Sequence, residues 1–291
     1  MKIVNVIGGL GNQMFQYAFA CYLKQQFPNE EILLDIHHFG HYKLHNGYEL
    51  SQVFPNLSIP IASKEQVKQV TRYIPHYWWS RVIRKFLPYK RTEFVEPLNR
   101  LYLHNEDVVK CMGDYYYEGY WQAMPYYQHL HCQLQQEFTF RKSNVYNAQV
   151  ADKIRASHSV GIHVRRGDYL KEPAFQGICD LDYYQRAIAA LLAKGHQYSF
   201  FLFSNDMDWC RNNIEPLLHG ADVCYVEGNK GKDSCWDIYL MSQCENLIIA
   251  NSSFSWWGAY LNKRAKMICA PKVWMNCSYE VDIYDAQWHI V

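Results

Sequence analysis

SVGIHVRRGDY, residues 159–169, decides the fold. Six apolar or small residues run without a charge, and two arginines, a glycine and an aspartate follow at once. Such a run reads as a strand buried on both faces that ends in a polar loop. Toward the C-terminus the alternation continues with helix LDYYQRAIAALLAKG, strand SFFLFSN, helix MDWCRNNIEPLL and strand VCYVEG. Helix SCWDIYLMSQC, strand NLIIAN, helix SFSWWGAYLN and a last strand, KMICAP, complete it. Strands alternating with helices of roughly 10–15 residues predict βαβ units and a parallel sheet covered on both faces. Upstream, strand IVNVI, helix NQMFQYAFACYLKQQF and strand EILLDIHHF repeat the pattern, with Met14, Phe15, Ala18, Phe19, Tyr22 and Leu23 on one helix face. YYYEGYW and PYYQHLHCQLQQEF predict another strand and helix. The reading is α/β, with two Rossmann-like domains over residues 1–155 and 156–291.

With 291 residues, 49% of them apolar, the chain can build two cores. Its 29 Lys and Arg against 28 Asp and Glu leave a net charge of +1, which argues against nucleic-acid binding across the whole surface. No apolar run is long enough for a membrane-spanning helix, and MKIVNVIGG is too short in its apolar part for a signal peptide. The ten cysteines form no CxxC and no zinc spacing, so reduced thiols in a cytoplasmic protein are expected. Residues 64–91 carry eight Lys and Arg and one acid. For 76–91, HYWWSRVIRKFLPYKR, two readings stay open: peripheral contact with an anionic membrane, or a solvated basic face over a partly buried aromatic helix.

Parallel sheets bind ligands beyond the carboxyl ends of their strands, so polar residues that follow strands are the candidates. In HVRRGDY, neighbouring side chains on an extended segment point opposite ways. Only one of Arg165 and Arg166 can therefore readily meet a ligand, leaving the other to pair with a carboxylate; a purely structural Arg–Asp network is the alternative reading. A guanidinium fits phosphate oxygens with paired donors. In ANSSFSWWGAYL, 250–261, Ser252 and Ser253 fall at a helix N-terminus, which suits a phosphate and equally suits ordinary serine capping. An arginine after one strand and a serine-capped helix after another together make a diphosphate cradle. Asn205 and Asp206 end FLFSND. The Asp237 carboxylate can accept from a guanine N1–H and 2-amino group, or be a plain surface acid. GGLGNQ, 8–13, is open between a dinucleotide loop, with Gly9, Gly11 and Asp35, and a tight turn; Met14 spoils the G-x-G-x-x-G/A pattern. Asn12 and Gln13 suit hydroxyls. No metal motif is seen; DMD at 206–208 reads as a helix start, so metal-independent leaving-group stabilisation is expected.

GGLGNQMFQYAFA, EGYWQ, HVRRGD, FSND and NSSFSWWGA, in this order between residues 8 and 258, strongly resemble the bacterial alpha-1,2-fucosyltransferases of glycosyltransferase family 11. More distantly they are similar to alpha-1,6- and protein O-fucosyltransferases. The resemblance implies a GT-B-like fold whose two domains face a central cleft, with the C-terminal half holding GDP-beta-L-fucose. It implies inverting transfer of fucose to the 2-hydroxyl of a terminal galactose, with no metal and no further cofactor. The acceptor would be a galactose-terminated oligosaccharide, free or lipid-linked, of cell-surface polysaccharide or O-antigen synthesis, and the protein would be cytoplasmic or peripheral at the cytoplasmic face of the inner membrane. By the same resemblance Arg165 grips the beta-phosphate, and Ser252, Ser253 and Phe254 contact the diphosphate, with Asn251 and Asn205 beside them. His163 and Asp237 would bind guanosine, and Asn12 would position sugar. Asp168 is the nearest carboxylate for a general base, or an orienter of Arg166 or of backbone. An NAD(P)-dependent oxidoreductase using GGLG is the alternative function, and a sugar-binding module without turnover a further one.

Overall fold

The structure, a computed structural model, describes residues 1–41, 45–74 and 76–291. The chain divides into two units, Met1–Arg141 with Val281–Tyr284, and Lys142–Glu280 with Asp285–Val291. The division falls one helix earlier than the 155/156 boundary read from sequence.

The first unit runs β1 (Lys2–Asn5), α1 (Leu10–Gln26), β2 (Ile32–Asp35), α2 (Leu50–Val53), α3 (Lys64–Val70), α4 (Tyr77–Arg84), β3 (Glu93–Val95), β4 (Tyr115–Glu118) and α5 (His131–Glu137). Its four strands are parallel, in the order β2-β1-β4-β3. Helix α1 is buried almost all round, not on one stripe, because Phe19 stacks on Trp121 at 4.1 Å while Met14 and Phe15 are fully covered. Short β3, at the sheet edge, has no apolar alternation by which sequence would reveal it.

The second unit runs α6 (Val145–Arg155), β5 (Ser159–Val164), α7 (Leu181–Leu192), β6 (Ser199–Ser204), α8 (Met207–Trp209), β7 (Asp222–Tyr225), α9 (Cys235–Met241), β8 (Asn246–Ile248), α10 (Ser253–Tyr260), β9 (Met267–Ala270) and β10 (His289–Ile290). All six strands are parallel, in the order β10-β9-β8-β5-β6-β7. Every residue of β5 is buried, as expected of a central strand. Val160, Ile162 and Val164 pack with Tyr183, Tyr184 and Leu191 of α7. Two sequence expectations change. MDWCRNNIEPLL is not one helix: α8 passes into a π-turn at Cys210–Ile214 and a 3-10 turn at Glu215–Leu218. Pro216 lacks the N–H that a regular helix needs and crowds the carbonyl one turn back. KMICAP is also not the last strand, since two-residue β10 adds beyond it, with His289 opposite Cys269.

In each sheet the strand order reverses beside the unit's first strand, between β1 and β4 and between β5 and β8. Ligands of open α/β sheets bind beyond the carboxyl ends of strands at such reversals. GGLGN leaves β1 and EGYWQ leaves β4. HVRRGD leaves β5 and NSSFSWW leaves β8. Topology, rather than spacing along the chain, brings these loops together in pairs.

Candidate active site

At the β5 and β6 ends, the backbone N–H of Arg166 donates to Asn205 Oδ1 at 3.0 Å, and its Nε donates to Asp206 at 3.1 Å. Its guanidinium lies 4.3 Å from the centre of the Trp209 ring. Arg166 is thus the arginine that anchors the loop. Gly167 completes the turn at φ +58, where a Cβ would come within 2.7 Å of Asn205 Nδ2. Arg165 goes the other way. Its Nη2 donates to Asp168 at 2.9 Å, and its guanidinium lies 5.3 Å from the Tyr169 ring centre. Asp168 therefore pairs with Arg165, not with Arg166. The buried Nε of Arg165 has no hydrogen-bond partner in the protein. Tyr169 stacks on Phe175 at 4.7 Å.

Ser252 is the cap of α10: its Oγ accepts from Phe254 N–H. Motif NSSFSWWGA divides its labour along the helix. Trp256 and Trp257 are fully buried and pack edge-to-face at 4.9 Å, while Ser253 and Phe254 at the other end stay half-exposed. Asn251 is turned inward, with Nδ2 donating to the Trp274 carbonyl and Oδ1 accepting from Cys179 Sγ. Both Asn205 and Asn251 thus use their side chains to hold the loops.

His163, next to the end of β5, is buried with its ring 6.0 Å from that of Phe254, and its Nδ1 is unpaired. Burial, and then the charge of Arg165, push its pKa down to about 3, so the ring is neutral at pH 7. Asp237 accepts from Asn229 Nδ2 at 2.8 Å, and burial outweighs that bond to push its pKa up to about 7. Asn229 is held in turn by a reciprocal amide pair with buried Asn147 of α6, at 2.8 and 2.9 Å. Tyr169, Asn229 and Asn147 escaped the sequence reading; only the approach of loop to helix marks them.

In the first unit, Gly8 at φ +89 lets Asn12 lie over the turn, where a Cβ would meet Asn12 Nδ2 at 2.8 Å. Gln122 of EGYWQ donates to Asn12 Oδ1 at 2.9 Å, which ties the β1 and β4 loops. Gln13 does not present itself to a hydroxyl: it is fully buried, donating to the carbonyls of Gly8 and Gly47 and accepting from Glu49 N–H. Asp35 is likewise spent, accepting from the backbone and ring of His37 and from the Tyr116 hydroxyl at 2.6–2.9 Å. Burial raises its pKa, but those bonds outweigh it and leave the group below the ordinary carboxylate range. Among the described residues no group of three His, Cys, Asp or Glu is placed to hold a metal. The DMD carboxylates are engaged, Asp206 with Arg166 and the Trp209 N–H, Asp208 with Arg211. Six of the ten cysteines are buried. No helix of the described residues is long and apolar enough to cross a membrane.

Residues 85–291 match the profile of glycosyl transferase family 11. The chain belongs to that family. An alpha-1,2-colitosyltransferase from Escherichia coli is 32% identical over 284 residues, covering 94% of this chain and 92% of the relative. Galactoside alpha-(1,2)-fucosyltransferase 2 of Mus musculus is 26% identical over 272 residues, covering 89% of this chain and 67% of its own length. Among solved structures, Arabidopsis thaliana FUT1, a mutant in complex with GDP, has a TM-score of 0.50 at 12% identity, over 90% of this chain and 68% of that one. The likeness is one of fold, to a GT-B-type transferase. Nothing in the family or in the tied-up Asp35 carboxylate supports the oxidoreductase reading.

One carboxyl of this family 11 transferase went unnoticed in sequence. Glu96, just past β3, accepts from Tyr120 and Trp121 N–H at 2.7 and 3.3 Å, which holds Trp121 at φ +56. Burial outweighs those two bonds and pushes its pKa from an ordinary 4.5 up to about 7. The fold therefore favours the protonated acid. That contribution is complete below pH 4.5 and is lost as pH rises through 7. Glu96→Gln keeps an acceptor without the charge, so at pH 8 it is expected to stabilise the protein by about 2 kcal/mol. No gain is expected at pH 4.5. Urea unfolding at the two pH values checks this, and an equal effect at both would contradict it.

Proposed function

We propose that this family 11 transferase moves L-fucose from GDP-beta-L-fucose to the 2-hydroxyl of a terminal galactose, with inversion and without a metal, in the synthesis of a cell-surface glycan. The pairing of Arg165 with the serine-capped start of α10, on adjacent strand ends at the sheet's reversal, carries this reading. Helix-terminal N–H groups and a guanidinium are both suited to a diphosphate that gains charge as its bond to the sugar breaks. As the acceptor oxygen bonds to the anomeric carbon, the carbon–phosphate oxygen bond breaks, GDP departs with the electron pair, and the acceptor hydroxyl's proton is released to solvent. Asp168, salt-bridged to Arg165, serves as the orienter of that arginine. His163 and Asp237 take the guanosine, and Asn12, held by Gln122, takes sugar. The first unit, Met1–Arg141, takes the acceptor side and the second, from Lys142, the donor side.

The name of the 32% identical relative makes the donor sugar the finer question, so fucosyl and colitosyl donors are compared in one assay. GDP is expected to raise the melting temperature with EDTA present, and UDP and NAD are not. Asp237 makes that binding pH-dependent with a definite sign. An ionised carboxylate accepts from guanine, yet below about pH 7 the free protein holds Asp237 protonated. GDP affinity should therefore rise with pH, by up to about tenfold per unit, and level off above 7. Asp237→Asn should flatten the profile. A GDP response abolished by EDTA, or a shift with NAD in place of GDP, would sink the proposal.

A further inference from the structure

Helix α4 and the residues after it carry exposed large apolar side chains: Trp78, Trp79 at 61% exposure, Val82, Phe86 at 81%, Leu87 and Tyr89. Positions 78, 82 and 86 lie one helical turn apart and 79 lies beside them, so they form one stripe. Arg81 and Lys85, also one turn apart and exposed, flank it. The opposite side holds the helix to the domain. Ser80, Ile83 and Arg84 are half-buried, and Arg84 pairs with Glu93, whose side chain is out of solvent. Residues 76–91 contain five Lys and Arg and no acid. The outer face is thus aromatic with a basic rim, and its inner side is joined to the domain by the Arg84–Glu93 pair.

We propose that this face docks on the surface of an anionic lipid bilayer, with α4 in the interfacial plane and the Trp78, Trp79 and Phe86 rings among the headgroups. Three physical points favour lipid as the occupant. Trp and Tyr rings favour the boundary between headgroups and acyl chains. Clustered cations are drawn to an anionic leaflet, each raising partition by roughly fivefold. A second copy of the chain is a poorer partner. Across a two-fold axis Arg81, Lys85 and Arg91 would face their own copies, with no acid in the segment to offset them. The inference goes beyond the proposed function and does not rest on the identity of the donor.

The test is sedimentation of the full-length protein with vesicles of phosphatidylcholine alone, or with about 30% phosphatidylglycerol. Binding to the anionic vesicles at 50 mM salt is expected, with a blue shift of tryptophan emission. Release by 500 mM salt and little binding to the neutral vesicles are expected too. Trp79→Ser with Phe86→Ser, and separately Arg81→Glu with Lys85→Glu, should each reduce binding at least tenfold. All four side chains are exposed, so far-UV circular dichroism and melting temperature should not change. No binding by the wild-type protein, or binding that both double variants retain, overturns the proposal. So does a concentration-dependent dimer in light scattering that Trp79→Ser with Phe86→Ser abolishes, for then a second copy covers the face.

Discussion

Arg165→Ala is expected to lower transfer from a GDP-sugar by at least about a hundredfold while shifting the melting temperature by only a degree or two. A donor aimed at developing charge in a water-poor site is typically worth ~3 kcal/mol of transition-state stabilisation. Its worth to the resting fold is small. The Arg165 side chain is 32% exposed and pairs with Asp168, which is 57% exposed, and such a pair contributes ~1 kcal/mol at most. Arg165→Lys keeps a charge but not the planar fork, so it should recover only part of the rate. Arg166→Ala should show the reverse profile. Its bonds to Asn205 and Asp206 and its contact with Trp209 hold the loop, so stability falls more than in Arg165→Ala and the rate falls less. Initial rates of GDP release, with melting curves of all three variants, separate the roles. If Arg165→Ala stays within threefold of wild type, or Arg166→Ala is the slower enzyme, the assignment fails.

Acid should destabilise the second unit through His163. Its folded pKa of about 3 lies below the ordinary 6.5, so between these values the unfolded chain takes up a proton that the fold excludes. The contribution is intact above pH 6.5 and is lost as pH falls, reaching about 2–3 kcal/mol by pH 4.5. His163→Phe fills similar space and cannot be charged, so its stability relative to wild type should improve by that amount between pH 7 and 4.5. At pH 7.5 the same variant loses the ring nitrogen and should bind GDP up to about tenfold more weakly. Parallel pH profiles for the two proteins would mean that the ring is not held neutral by burial.

Much of this was legible in residues alone, and for one reason: the signals are local. The alternation of apolar runs with helical stretches follows from side-chain periods of 2 and 3.6, which need no tertiary contact. The glycines of GGLGN and the polar ends of HVRRGD and FSND mark where strands stop. An extended segment sends neighbouring side chains opposite ways, so the separate fates of Arg165 and Arg166 were foreseeable, and the family resemblance pointed to Arg165 as the phosphate-side arginine. Misreadings came where distant residues intervene. Gln13 suggested a hydroxyl ligand until Gly47 and Glu49 were found on its amide, and Asp168 gained Arg165 as its partner only once the loop was folded.

Sequence by itself determined the fold class, the family resemblance and the loops that carry the chemistry. Tertiary structure decided that β8 lies beside β5 and β4 beside β1, and so which loops meet. It also decided that a histidine, an aspartate and a glutamate would titrate near 3, 7 and 7. Strand adjacency and burial are properties of segments far apart in the chain, and no local pattern encodes them.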